Sequence, residues 1–323
     1  MSISQDFLIE SIALTVLRRT RDNALPMAMR KFDFAAVIES RFPGLLEEVR
    51  KVIQESERAY EGSDSGQESF LWEHTLQVTS FACRLAEDQN TDPLIPMIAA
   101  LFHDAGKFSG GKYHSDETIE EEESARIAER ILRRFGMNAA SIRKVLAGLR
   151  ALYNEKSRGN AVAAILHDAD FLSKFGALGI AGFFTKSALR GRPLRSAVVG
   201  YLSKELTYAA CLPLNMHTAA GRRLALKKSA DSLRFFRSLL AELRNTRMAD
   251  LRIRRMKIPY PSSPNRFIEI HFVSSSVCTE CGGKWEMAWA TEKGLKCQKL
   301  NLDWACLHCG EKIETSFCLP EIR

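Results

Sequence analysis

Apolar positions in this 323-residue chain recur at helical spacing over most of its length and change to strand spacing after about residue 257. Leu71, His74, Val78, Phe81 and Leu85 follow a 3-4-3-4 rhythm, which predicts a helix carrying His74 on its apolar face. The apolar run from Leu94 to Phe102 predicts a short buried helix ending in His103-Asp104, with Gly106 as the break. A third pattern, Ala161 to Asp170, again carries acids into an apolar context. Upstream, Phe7, Leu8, Ile12, Val16 and Leu17 make one stripe. Val37, Ile38, Phe42, Leu45, Leu46, Val49, Val52 and Ile53 make others, with Pro43-Gly44 between them. These predict an accessory helical layer, packed on the main core or on a second subunit of an oligomer. The polar stretch Glu61–Ser69 reads as a loop, and the acids Glu120 to Glu123 open a further helix, where they complement its positive end.

The C-terminal part has a different texture. Pro261-Ser-Ser-Pro264 reads as a linker and Phe267–Val273 as a strand; Trp285–Trp289 and Leu302–Trp304 are strand-like. Cys278-Thr-Glu-Cys281-Gly and Cys306-Leu-His-Cys309-Gly are separated by 24 residues. Two such knuckles around hairpin material resemble a zinc ribbon, whose four thiolates hold a structural Zn²⁺. A redox pair would leave the second knuckle unexplained. About 60 residues of β structure make too small a core to stand alone, so the metal supplies much of the folding energy. Cys297 and Cys318 are left over, and Cys83 and Cys211 read as core thiols. The expected fold is mainly α, a helical bundle with a small C-terminal β-rich zinc ribbon. Its divisions are accessory helices over 1–69, the main helical domain over 70–257 and the ribbon over 258–323.

Two metal-capable side chains at the end of a buried helix need partners, because burying each alone costs several kcal/mol. His74, His103, Asp104 and Asp170, on separate helical segments, are of the right types to share one cation with positions left for water and substrate. The chain resembles the HD superfamily of metal-dependent phosphohydrolases, whose pattern is H…HD…D on helices, and these four residues match it. The likeness includes Asp168-Ala-Asp170-Phe-Leu-Ser-Lys-Phe-Gly176-Ala-Leu-Gly179-Ile180, the Met216–Ala225 segment and the Phe235–Leu240 run, covering roughly residues 70 to 245. The resemblance implies hydrolysis of a phosphomonoester or phosphodiester by metal-activated water, with nucleotides the commonest substrates. Many relatives with two metals place a His near the start of the helix after the His-Asp pair. Here Glu120 stands at that position, ahead of Ser124-Ala125, which leaves one firm metal and a carboxylate for a second.

The same comparison assigns Asp170, not Asp168, to the metal. His167 lies three residues from Asp170 and shares its face, whereas Asp168 is left to a surface or supporting role. Mn²⁺, Mg²⁺, Fe²⁺, Co²⁺ or Ni²⁺ suits the ligand set, and Zn²⁺ is compatible. Lys107 is placed to meet phosphate oxygens, with Lys112 a weaker candidate; His114 is a candidate general acid or extra ligand, and Asp104 can steer protons.

Composition adds bounds rather than chemistry. With 46% hydrophobic and 26% charged residues the chain can bury an ordinary core, and neither a secretory leader nor a run of 18 uncharged apolar residues is visible. A cytoplasmic protein with no membrane association is expected. The net charge of +7 favours anionic partners. Residues 186–257 hold 17 Lys or Arg against four acids, a net of +13, interleaved with Leu and Phe at helical spacing. Either this is a solvated helix face or it tracks phosphates. Three readings follow: a nucleotide or phosphate-ester hydrolase, an HD-type nuclease gripping its strand through the basic helices and ribbon, and a regulator that binds nucleotide or nucleic acid without turnover. A complete ligand set disfavours the last.

Overall fold

The computed structural model describes residues 33–61, 69–111, 120–153, 159–260, 263–275, 277–278, 280–293 and 298–318. The stripe from Phe7 to Leu17, together with Lys112, His114 and Cys297, lies outside them. Helices come first: α1 (Phe34–Arg41), α2 (Leu45–Glu61), α3 (Phe70–Asp88), α4 (Leu94–Phe102), α5 (Glu120–Arg134), α6 (Ala139–Arg150), α7 (Ala161–Ser173), α8 (Gly176–Leu189), α9 (Leu194–Asn215) and α10 (Ala219–Asn245). Five strands follow: β1 (Leu251–Tyr260), β2 (Ser263–Ser275), β3 (Trp285–Lys293), β4 (Gln298–Cys306) and β5 (Lys312–Cys318). The architecture is the expected one, mainly α with a small β-rich end.

Local chemistry sets the helix starts. Ser69, Asn138, Asn160 and Thr218 each accept a backbone N–H of the helix they precede, the usual way of satisfying donors that have no intrahelical partner. One apolar core runs through α1 to α7 and takes in Ala209, Leu212, Ala220 and Ala225 from α9 and α10. At its centre α4 is apolar on all sides, with Met97 to Phe102 fully buried, as a helix surrounded by others must be. Among the described residues, no helix is long and apolar enough to cross a membrane.

The expected boundary at residue 258 falls inside β1. Arg252 to Lys257, within the basic stretch 186–257, form a strand paired antiparallel with β2; of the expected linker, Ser263 and Pro264 begin β2 and residues 261–262 lie outside the described residues. The outer edge of β2 is closed by side chains of α9. Ser203 Oγ accepts from Val273 N at 3.0 Å, and Thr207 Oγ1 accepts from His271 N at 3.0 Å and donates to His271 O at 2.9 Å. Strands β3, β4 and β5 form a separate antiparallel sheet in that order. Leu300 of β4 joins Ile258, Ile268 and Ile270 of the hairpin in one small core.

Candidate metal centre

Three helices bring the site together. On α3, Leu71, Val78 and Leu85 are buried and His74 faces the same way. His103 follows the last turn of α4, and its backbone N–H still reaches Ala100 O. Asp170 sits in the second half of α7 and is 2% exposed. His74 Nε2 lies 3.1 Å from Asp170 Oδ1 and 3.7 Å from Asp104 Oδ2, while His103 Nε2 lies 3.6 Å from Asp104 Oδ1. The two imidazole centroids are 5.4 Å apart. One atom each of His74, His103 and Asp170 falls within 4.8 Å of the others. Bonds of about 2.1 Å to a common ion place ligand atoms about 3.0–4.2 Å apart, so the spacing fits with little adjustment.

Hydrogen bonds fix which nitrogen of each imidazole faces inward. His103 Nδ1 donates to Ala100 O at 2.8 Å. Ser173 Oγ spends its one proton on Asp170 O at 2.7 Å and therefore accepts from His74 Nδ1 at 3.3 Å. Both Nε2 lone pairs are thus left for the centre. Burial reinforces this by lowering the pKa of His74, against the pull of Asp170. His103 Nε2 and Asp170 Oδ1 are buried with no hydrogen-bond partner among the described residues. Two orphaned acceptors facing one point are costly by themselves and are what a cation satisfies.

The outer carboxylate oxygens are held by ammonium groups. Lys107 Nζ donates to Asp104 Oδ2 and Lys174 Nζ to Asp170 Oδ2, both at 2.7 Å. Burial raises the pKa of Asp104, but the attraction of His103, Lys107 and His74 outweighs it and holds the carboxyl well below its usual range. Asp170 is held low in the same way, burial being overcome by Lys174 and His74. Desolvation works against the charge on Lys107, and Asp104 and Glu120 more than compensate. Glu120, at the start of α5, hydrogen-bonds Asp104; burial, then the Asp104 charge, push it up to about 8.

Gly106 explains how α5 comes so close. A Cβ there would stand 2.6 Å from Ser124 N and 2.7 Å from Glu120 O. Instead Gly106 N donates to Ser124 Oγ, which donates to His103 O, both at 2.9 Å.

His167-Asp168 forms a separate group. His167 stacks on His217 with centroids 3.8 Å apart and an interplanar angle of 4°. Asp168 is fully buried, so of the surface and supporting roles expected for it the surface one falls. Its Oδ1 accepts from His217 N at 2.8 Å and lies 3.0 Å from His167 Nδ1; its Oδ2 accepts from Thr218 N at 2.8 Å and Thr218 Oγ1 at 2.7 Å. Its lone pairs are committed to donors at the start of α10. The group can hold a metal by distance alone, but Asp168 already serves as an anchor. Ser173 and Lys174 were missed from sequence, although both follow Asp170 at helical contact spacing.

At the other end of the chain, Cys278, Cys281, Cys306 and Cys309 place their sulfurs within 4.8 Å of one another. Cys278 and Cys309 sulfurs are 3.7 Å apart, and those of Cys281 and Cys306 3.5 Å, close to the edge of about 3.8 Å of a tetrahedron with 2.3 Å Zn–S bonds. The two knuckles repeat one another. Gly282 N reaches Cys278 O at 2.9 Å and Gly310 N reaches Cys306 O at 3.0 Å, each glycine at positive φ, 73° and 76°. Backbone N–H groups point at the sulfurs of Cys278, Cys281 and Cys306 at 3.4 Å, and those from Cys309 and His308 help bring the Cys306 thiol down to about 6. Cys83 and Cys211 are buried core thiols, pushed up to about 12 by desolvation.

The HD domain family matches residues 71–172, the stretch that holds all four His and Asp residues. Similar solved structures include Bacillus subtilis YpgQ in complex with ADP, 22% identical over 62% of this chain and 96% of that one, TM-score 0.45. A predicted HD superfamily hydrolase from an uncultured Thermotogales bacterium is 23% identical over 65% and 99%, TM-score 0.44. An HD-superfamily hydrolase from Bacillus thuringiensis is 21% identical over 62% and 98%, TM-score 0.43. No curated protein matches the chain. With the motif residues gathered on α3, α4 and α7, the chain carries an HD domain at residues 71–172.

Proposed function

We propose that the chain is a metal-dependent phosphohydrolase, with His74, His103, Asp104 and Asp170 holding one divalent cation and Cys278, Cys281, Cys306 and Cys309 holding a structural Zn²⁺. The observation that carries the reading is the convergence of two Nε2 lone pairs and Asp170 Oδ1 on one buried point, two of these three atoms having no hydrogen-bond partner. Asp104 is the fourth ligand, one oxygen toward each imidazole. Oxygen-rich ligation with two imidazoles suits Mn²⁺, Mg²⁺, Fe²⁺, Co²⁺ or Ni²⁺. When bound, the cation supplies Lewis acidity at a phosphoryl oxygen and makes a bound water acidic.

The chain's own groups do the positioning. Lys107 and Lys174 each use one N–H on an outer carboxylate oxygen and keep others for phosphoryl oxygens. Two further ammonium groups extend this positive region: Lys186, over Phe70 at 6.0 Å, and Lys204, over Tyr208 at 5.8 Å. Lys174 acts electrostatically on both, and Lys107 on Lys186. Such a cluster favours a phosphate ester with several negative charges, a nucleotide among them. Glu120, beside Asp104, adds a carboxylate on the α5 side, suited to a second cation.

The test combines calorimetric titration with Mn²⁺ and product release: 4-nitrophenol from 4-nitrophenyl phosphate and bis(4-nitrophenyl) phosphate, and phosphate or pyrophosphate from a nucleotide panel. The expected result is that His103→Ala and Asp170→Asn each abolish Mn²⁺ binding and release while leaving the zinc content unchanged. Full metal binding and release by both variants would refute the assignment.

A further inference from the structure

The solvent side of α10 carries a pattern that the hydrolytic centre does not use. Arg223, Lys227, Arg234, Arg237 and Arg244, with Ala230 and Ala241 between them, recur at 4-3-4-3-4-3 spacing and so lie in one line along the helix. All five cations are exposed, and the line is opposite the buried positions Ala225, Ser229, Ser232, Phe236 and Leu243. At 1.5 Å per residue it is about 32 Å long. The acids of this helix, Asp231 and Glu242, lie on the flank, and Asp231 makes a 3.2 Å ion pair with Arg234.

A solvated helix face ordinarily mixes signs at three- and four-residue spacing, because like charges there repel. Helix α5 does so, with Arg126–Glu123 and Arg133–Glu129 pairs. Along α10 Arg234 has such a partner in Asp231, but the line itself holds no acid. It also continues beyond the helix: Arg237 of α10 and Arg255 of β1 both act on the charge of buried His271, and the exposed Lys257 shares the strand face of Arg255. Since α9 closes the outer edge of β2, β1 is the edge of the hairpin that has no further strand beside it among the described residues.

From this placement we propose that α10 and β1 form a track for the phosphate backbone of a nucleic acid. A regular row of exposed cations, mostly guanidinium groups with small residues between, matches a polyanion with repeating charge. An anionic membrane would call for an apolar strip beside the charges. The exposed apolar residues of α10, Leu226 and Phe235, lie on opposite sides of the row instead.

The experiment follows fluorescence anisotropy of fluorescein-labelled 30-nucleotide single-stranded RNA and of duplex DNA across a salt series, with the full chain. The variant carries Arg223→Ala, Lys227→Ala, Arg234→Ala, Arg237→Ala and Arg244→Ala. Exposed alanines favour a helix, so it folds, and its circular dichroism melt checks this. A control removes five exposed cations from α5 and α6 (Arg130, Arg133, Arg134, Arg143 and Lys144, each to Ala). The expected result is tight binding by the parent chain at low salt, at least 30-fold weaker binding by the α10 variant, and a log Kd against log salt slope reduced by roughly 3.5 for single strands. The control stays within threefold, and phosphate release is the same in all three, so failure here is separable from failure of the hydrolase reading. The proposal is overturned by no binding of either oligonucleotide at 50 mM salt, by equal weakening in the control, or by binding to phosphatidylserine vesicles without binding to oligonucleotides.

Discussion

Asp168→Ala tests whether the second acid of the Asp-Ala-Asp segment is an anchor rather than a ligand. The wild-type carboxylate is fully buried and accepts from His217 N, Thr218 N and Thr218 Oγ1 at 2.7–2.8 Å. Alanine removes the acceptor and strands two backbone N–H groups at the start of α10. The Thr218 hydroxyl can turn to another partner, so the backbone donors dominate the cost. At about 1–3 kcal/mol for each buried donor left unmade, the loss is about 2–6 kcal/mol. With roughly 2 °C per kcal/mol for a chain of this size, the unfolding midpoint falls by about 4–12 °C. Circular dichroism melts read the midpoint, and Mn²⁺ titration of the same variant reads the HD centre, which keeps its single firm site. Asp168→Asn retains an acceptor oxygen and falls between. The reasoning is refuted if the alanine variant melts within about 1 °C of the parent, or if it loses a bound cation without losing stability; the latter would make His167, Asp168 and His217 a metal site.

Three further outcomes follow from other contacts. Ser173→Ala removes the acceptor that fixes the His74 tautomer, so Mn²⁺ affinity measured by calorimetry falls about 10-fold or more with little change in melting. In a thiol titration of the native protein, Cys83 and Cys211 stay unreactive because they are buried with thiols pushed up to about 12, while a strong zinc chelator releases the four knuckle thiols; early labelling of Cys83 or Cys211 would contradict the packing. Glu122, held below its ordinary value by its hydrogen bonds with Arg150, joins α5 to α6 through two contacts of 2.8 Å. A depressed carboxyl contributes above its unfolded value of 4.5 and the contribution fades as pH falls through the lower folded value. Glu122→Gln therefore costs up to about 1 kcal/mol at pH 7 and nothing in strong acid, read from melts at both.

The placement of His74 and His103 was legible because the apolar pattern of the helix beside each is clean. The rhythm from Leu71 to Leu85 turns His74 inward, and α4 is apolar until His103 ends it. Periodicity also suggested that His167 shares the face of Asp170, and there it misled. Residues three apart on a helix share a face, yet His167 turns to His217 and Asp168 instead. What draws His167 aside is the turn at 217–218, fifty residues on, which no local pattern announces. The hairpin was hidden for a different reason. Leu251 and Ile253 turn to one apolar cluster and Met256 and Ile258 to another on the opposite face, with arginines between them, so no single apolar alternation marks the strand. Pro264, read as part of a linker, lies in β2.

Helix α7 shows why the two acids of Asp168-Ala-Asp170 are not redundant. Successive alternate residues on a helix point about 200° apart, so one carboxylate faces His74 and Lys174 while the other receives the donors of α10. Rotating α7 to relax either contact strains the other. The helix is clamped from both sides, and Asp170 Oδ1, buried with no hydrogen-bond partner among the described residues, cannot turn away from the imidazoles without breaking contacts worth several kcal/mol. A buried acceptor that carries such a cost must be held there by something else. Here that support comes from outside the His and Asp set, from Lys174, Ser173 and, through Asp168, the first turn of α10.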